Sequence, residues 1–376
     1  MKTKTLVVLL VILAISAGAG LFLFRSPDVP VSNGAMGTLI FETLPANEIT
    51  SIVIDRPDGS VILVKEKDIW IVENRFGYPA DFSRITDLIR KVKQTKAGRK
   101  FSAAGPVTKR LSLISPSDKK AAQDEKATRI RFMKKDKTVA ADILLGNTRK
   151  RKGKGIPDSQ YVMLADGTDI YLVDQIFSSF ETSAPKWLKK SPVNAAKEDI
   201  RKIICVGPDN KPRYTFERPA KGKEFVLINP PTQRKIKQSD LNRLSGALAG
   251  LAIEDVANPS DPPESLSNGI SPRISYTLFN GITYHVFPGV ACSPGIPCYL
   301  RLQVAFSGRT TQKETQDPGK ASGKKDAADG ETDASLTVKA KELNDRLGPW
   351  AFVIPEWQHQ AFFTTLNEML EKEKEK

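Results

Sequence analysis

Hydrophobic and polar positions alternate with the period of a β-strand over much of the chain. Ile49-Thr-Ser-Ile-Val-Ile54 reads this way, and Arg56-Pro-Asp-Gly59 follows it as a turn with Pro and Gly well placed. Val61–Val64 and Ile69–Val72 continue a meander. After Tyr78-Pro-Ala-Asp81 the period changes. Phe82, Ile85, Leu88, Ile89 and Val92 share one face of a helix, with Asp81 as its N-cap.

The same order returns 151 residues later. Ile200, Ile203 and Ile204 stand for Ile49, Ile52 and Val53, and Pro208-Asp209-Asn210 stands for Pro57-Asp58-Gly59. Tyr214–Phe216 and Phe225–Ile228 supply the next strands. Leu241, Leu244 and Leu248 repeat the helical stripe, capped by Ser239 or Asp240. Beyond each helix, Thr128–Phe132, the Asp136-Lys137 turn and Val139–Leu145 match Pro272–Tyr276, Asn280-Gly281 and Ile282–Phe287. Tyr161–Leu164 answers Tyr299–Leu302. Ile170–Val173 with a helix over Gln175–Leu188 answers Ala351–Ile354 with a helix over Pro355–Glu371, where Trp357, Ala361, Phe362, Leu366, Met369 and Leu370 form the buried stripe. The pattern predicts an α+β fold, two tandem duplicated domains of mainly antiparallel sheet with helices, over residues 36–190 and 191–373.

One stretch departs from the pattern. Ser307–Ala334 has no aromatic or large aliphatic residue, so it buries too little to offset its ordering entropy and reads as a disordered insert, 307–334, in the second half. A short helix over Leu336–Leu347 follows it, ended by Gly348-Pro349.

The N-terminus sets the expected compartment. Residues 1–25 comprise a lysine-bearing start and an uncharged run from Leu6 to Phe24, whose nineteen helical residues span roughly 28 Å. The alternative is a signal peptide cleaved at Ala17-Gly18-Ala19, which would leave Gly20–Phe24 as an apolar stub. An uncleaved transmembrane helix is therefore favoured. Lys2 and Lys4 before the run, against Arg25 after it, orient it with the bulk of the chain in the periplasm or extracytoplasmic space and a single pass through the inner membrane. Ala14, Ser16, Gly18 and Gly20 place small residues where membrane helices approach closely.

Composition changes this picture in one respect. The formal net charge is +14. Outside the cytoplasm such a charge points to anionic lipid, envelope polymer or an acidic protein surface, not to nucleic acid. The densest basic run is Arg149, Lys150, Arg151 and Lys152 with Lys154, readable either as a solvated loop or as an anion contact. Motifs of catalysis are missing: there is no phosphate-cradling loop, nucleophile elbow or H-E-x-x-H. The two histidines, His285 in a strand and His359 on a helix surface, do not by themselves make a metal site. No cofactor is implied. Cys292-Ser-Pro-Gly-Ile-Pro-Cys298 has the spacing of a small disulfide loop, and Cys205 reads as a buried free thiol in Ile203-Ile-Cys-Val206.

Glu48–Gly59, Ile69-Trp-Ile-Val72, Tyr78-Pro-Ala-Asp81, Ile143-Leu-Leu-Gly146, Tyr161-Val-Met163, Tyr171–Asp174 and Trp187-Leu188, behind a lysine-rich start and single anchor, together resemble a bacterial family catalogued as domain of unknown function 4340. The resemblance covers residues 1–260 and fades at the insert and the cysteine loop. These motifs are turns, core aromatics and caps. Members are often encoded beside gliding-motility-type ABC transporter components, which implies an accessory role and carries over no functional residue. The expectation is a non-enzymatic, membrane-anchored accessory subunit whose partners are ABC-transporter membrane subunits. The alternatives are a binding module for anionic envelope polymer or lipid and, last, a hydrolase with an unrecognised carboxylate pair.

Overall fold

The computed structural model describes residues 37–41, 44–150, 157–181, 183–266, 271–290, 292–308 and 332–371. The expected membrane anchor, the interior of the insert and three residues of the basic run (Arg151, Lys152 and Lys154) lie outside them. No helix among the described residues is long and apolar enough to cross a membrane.

In chain order the strands are β1 (Ile49–Arg56), β2 (Gly59–Glu66), β3 (Ile69–Val72), β4 (Tyr78–Pro79), β5 (Ala97–Ser102), β6 (Thr128–Lys134), β7 (Val139–Lys150), β8 (Pro157–Leu164), β9 (Asp169–Val173), β10 (Ile200–Val206), β11 (Pro212–Glu217), β12 (Val226–Asn229), β13 (Asp255–Val256), β14 (Arg273–Leu278), β15 (Ile282–Pro288), β16 (Cys298–Phe306) and β17 (Ala351–Ile354). The helices are α1 (Phe82–Gln94), α2 (Gly105–Arg110), α3 (Gln238–Ala249), α4 (Asp333–Leu347), α5 (Glu356–Ala361) and α6 (Leu366–Met369). Packing groups them into two compact units: residues through Asp68 with Phe82–Ser183, and Ile69–Asp81 with Ala184 onward.

In the first unit seven strands run in the order β2-β1-β6-β7-β8-β9-β5. Alternation along β1 buries Ile49, Ile52 and Ile54, and α1 turns Ile85, Leu88 and Val92 inward. Phe82, which the helical period places on the same face, is 62% exposed because it opens the helix. Along β7 Ile143, Leu144 and Leu145 are all buried, so both faces of the sheet are covered there. Leu144 belongs to a cluster with Leu113, Ala127, Met163 and Ile170.

The second unit has eight strands in the order β12-β11-β10-β14-β15-β16-β17-β13. From β11 to β13 this is the first unit's order, strand for strand. The correspondence extends to irregularities: β1 slips register against β6 between Ile49 and Ser51, and β10 slips against β14 between Ile200 and Lys202. Asn280-Gly281 turns β14 into β15; Gly281, at φ +86, takes the left-handed conformation a side chain would resist. The β3–β4 hairpin packs within this unit. The Tyr78 ring meets Trp350 edge-on at 5.0 Å, and Asp81 N–H donates to the Trp187 carbonyl at 2.7 Å.

Three helical expectations are corrected. Among its described residues, Gln175–Leu188 forms a 3-10 turn at Ala184–Trp187 and no α-helix. Phe177 N–H is taken by the Gln160 side chain at 2.7 Å, and Ser178, Ser179 and Pro185 are poor helix formers. Pro355–Glu371 breaks into α5 and α6, because Thr365 and Glu368 start a new helix as a capping box. Trp357 consequently lies 62% exposed, outside the buried stripe, while Ala361, Phe362, Met369 and Leu370 are buried. The helix expected from Leu336 begins at Asp333, where Thr332 Oγ1 accepts from Ser335 N–H, so the insert ends earlier than its composition implies.

Candidate functional site

The cysteine loop forms where β15 passes into β16. Ser293-Pro-Gly-Ile296 is a tight turn, closed by Ile296 N–H donating to the Ser293 carbonyl at 2.8 Å. Pro294 presets the first corner, and Gly295, at φ +87, supplies the second. Cys292 and Cys298 thereby come to a Cα separation of 4.6 Å and are joined by a disulfide. Cys205 is the buried free thiol of β10, at the position Ile54 holds in β1. Burial pushes its pKa up, which keeps it protonated and unreactive.

Helix α5 backs the loop. His359, expected on a helix surface, is buried: its Nε2–H donates to the Gly289 carbonyl at 2.7 Å, and its ring lies 5.0 Å from that of Phe363. Burial lowers its pKa, partly opposed by the Gly289 bond and by Glu356, so the imidazole is neutral near pH 7. His285 is likewise held low, by burial and then by Arg273, and shares a 2.8 Å hydrogen bond with Ser275. The two histidines serve different contacts and do not meet. Among the described residues no group of three His, Cys, Asp or Glu side chains converges as metal ligands would.

Around the loop the surface is unusually apolar. Trp357 is 62% exposed, Ile296 49%, Val290 44% and Phe363 37%. Val290, Cys292, Trp357 and Phe363, with the polar Arg243, Gln360 and Glu368, line a cavity of about 560 Å³. Single exposed apolar residues are ordinary; Val290, Trp357 and Phe363, which line one cavity with Cys292, form an exposed apolar patch beside the loop.

The basic run lies at the equivalent place in the first unit, between β7 and β8. Arg149 and Lys150 are exposed on the end of β7, opposite Ser159 and Pro157 of β8. The structure thus places these two in solvent at the end of the β7–β8 ladder.

Sequence reasoning missed one polar cluster. Gln160 Nε2 donates to the Gly146 carbonyl and to Glu181 Oε1, both at 2.9 Å, while Thr128 Oγ1 donates to Glu181 Oε2 at 3.1 Å. Burial raises the Glu181 pKa; Gln160, Thr128 and Arg56 partly offset it. A glutamine at an inward position of β8 was the available signal. These bonds tie β8 to β7 and the loop bearing Phe177 and Glu181 to the sheet, which is a structural role.

These features define a two-unit antiparallel α+β protein with a rigid, disulfide-pinned apolar face. The chain belongs to the family described as Domain of unknown function (DUF4340), whose sequence model matches residues 70–268. Comparison with curated proteins and with solved structures finds no significant match.

Proposed function

We propose that the chain is a non-enzymatic extracytoplasmic subunit, held to the inner membrane by residues 1–25, that docks on the membrane subunits of an ABC-type transport or envelope complex. The observation supporting it is the face around Cys292–Cys298. Trp357 and Phe363, on α5 and just after it, and Val290 and Ile296 at the loop stand in solvent, and the loop is fixed by a covalent bond, which lowers the entropy lost on binding. The disulfide fits an oxidising compartment. The shared strand order and repeated register slip further support duplication of one ancestral domain, 36–190 and 191–373.

The test is a photoreactive phenylalanine analogue in place of Trp357 in cells. Crosslinks to an ABC-transporter membrane subunit, identified by mass spectrometry, are expected. An absence of protein adducts at Trp357, with lipid or polymer adducts at Lys150 instead, would sink the docking reading. It would favour the anionic-envelope binding module, which the exposed Arg149–Lys150 pair supports. Topology is checked by fusing alkaline phosphatase after Lys376, where an active fusion is expected.

A further inference from the structure

We infer that the second unit carries a separate ligand site, a cavity beneath α4 that takes an amphipathic anion: a phosphate or carboxylate borne on a short apolar group. The inference stands apart from the docking face and survives its failure.

The cavity measures about 980 Å³, at the upper end of the size of small-molecule sites. Its walls come from four places in the chain, one of them Lys221 between β11 and β12. Helix α4 contributes Lys339, Leu343 and Arg346, spaced four and three residues apart and so on one stripe. The adjacent stripe, Leu336, Ala340 and Leu347, is buried, and Asn344 Oδ1 accepts from Val304 N–H at 2.9 Å. The helix is therefore fastened by one face and presents its cations from another. The β14–β15 turn contributes Leu278, Asn280, Ile282 and Tyr284, and the segment leading into β10 contributes Lys189, Asn194 and Asp199.

Charge and polarity then specify the ligand. The lining carries Lys189, Lys221, Lys339 and Arg346 together with the carboxylate of Asp199. That carboxylate is already engaged, with its Oδ1 2.6 Å from Lys221 Nζ. Lys189 and Arg346 make no ion pair among the described residues. The Arg346 charge reaches the Tyr284 phenol, where it opposes the larger upward push of burial on the pKa. Asn280 accepts from Ile282 N–H through Oδ1, which leaves its amide hydrogens to donate. A guanidinium fork beside amide donors suits a tetrahedral or planar anion. Leu278, Ile282 and Leu343 offer an apolar resting place that a bare inorganic anion would not use.

The first unit shows how the site arose. There β8 and β9 are joined by the short turn 165–168, with no helix between them in the chain. In the second unit the chain leaves β16 at Phe306 and returns to β17 at Ala351, with α4 on the way. The cationic wall is carried by that excursion.

The experiment titrates the full chain, in neutral phosphatidylcholine nanodiscs, with phenyl phosphate, benzoate and inorganic phosphate, followed by calorimetry. Short-chain phosphatidic acid and phosphatidylcholine form the lipid arm. Saturable binding of phenyl phosphate or benzoate is expected, about tenfold tighter than inorganic phosphate because of the apolar contact. Tighter binding of the phosphatidic acid would assign the ligand to lipid; preference for the aryl anions would assign it to a soluble compound. The double variant Lys339→Glu/Arg346→Glu should lose about tenfold or more, while Arg149→Glu/Lys150→Glu, with the same charge change, stays within about twofold. Equal losses in both variants, an unaffected Lys339→Glu/Arg346→Glu, or no saturation by any anion would overturn the site.

Discussion

Between β7 and β8 the first unit carries an exposed ladder end bearing Arg149 and Lys150; between β15 and β16 the second carries a disulfide loop ringed by Val290, Ile296, Trp357 and Phe363. Both connections join the same pair of strands in sheets of corresponding order. The strands beneath them share more than order. β1 and β10 bury the same three positions, and Phe132 and Tyr276 sit opposite Ile52 and Ile203 at the centre of each sheet. Core positions answer to packing, which tolerates little change; connections answer to solvent and partners, and diverge. Chemistry that distinguishes the units is therefore concentrated at the strand ends.

The central pair offers the largest test. Both side chains are fully buried, but Tyr276 also donates from its hydroxyl to the Leu244 carbonyl at 2.9 Å. Phe132→Ala should cost about 3–5 kcal/mol by opening a cavity. Tyr276→Phe should cost about 1 kcal/mol, the net value of a buried hydrogen bond. Urea denaturation measures both, and equal costs would show that the two cores are not packed alike.

The connections come next. Cys292→Ser with Cys298→Ser removes a short covalent loop and should cost roughly 2 kcal/mol. Replacing residues 149–156 by an Asn-Gly turn should change stability by less than about 0.5 kcal/mol, as solvated surface substitutions do. Calorimetric melting of the two variants decides it; a larger loss from the β7–β8 replacement would mark that connection as packed rather than solvated.

The smallest effect separates the units by the sign of their response to acid. In the first unit the folded protein holds Glu181 protonated more readily than the unfolded chain does. That contribution is complete below the ordinary carboxylate range, near pH 4.3, and is lost as pH rises through the raised value. In the second, His285 and His359 are held neutral, so their contribution is complete above the ordinary histidine pKa near 6.5 and is lost as pH falls through the depressed values. Glu181→Gln should therefore gain in melting temperature over wild type as pH rises from 4 to 7. His359→Gln, which keeps a donor toward Gly289, should gain as pH falls from 7 to 5. Flat differences across these ranges would remove the contrast.

The strands were legible because alternation is a local signal, and each run quoted from Ile49 to Ile354 overlaps a strand of the fold. The disulfide was legible for the same reason, since turn and thiols lie within one short segment. Where two local signals competed, the reading failed. Phe177 and Phe180 have helical spacing, yet the Gln160 side chain takes the Phe177 N–H and a single turn joins the two. Trp357 follows a helical stripe, yet the Thr365–Glu368 box ends that helix early. Strands β5 and β13 went unread because Ala97–Ser102 and Asp255-Val256 have no continuous alternation and pair with β9 and β17, distant in sequence. The cavity under α4 was invisible for a related reason: its walls are separated by up to about 150 residues, and only tertiary packing brings them together.

The β3–β4 hairpin imposes an order on biosynthesis. Tyr78 is made early, but the rings it packs against, Trp350 and Phe352, are almost the last core residues to be translated. At about 5–20 residues per second that interval lasts on the order of tens of seconds. Throughout it Trp70 and Tyr78, both buried in the finished protein, have no completed surface to cover them. The cover of this hairpin is therefore completed only when the C-terminal half of the chain has been made.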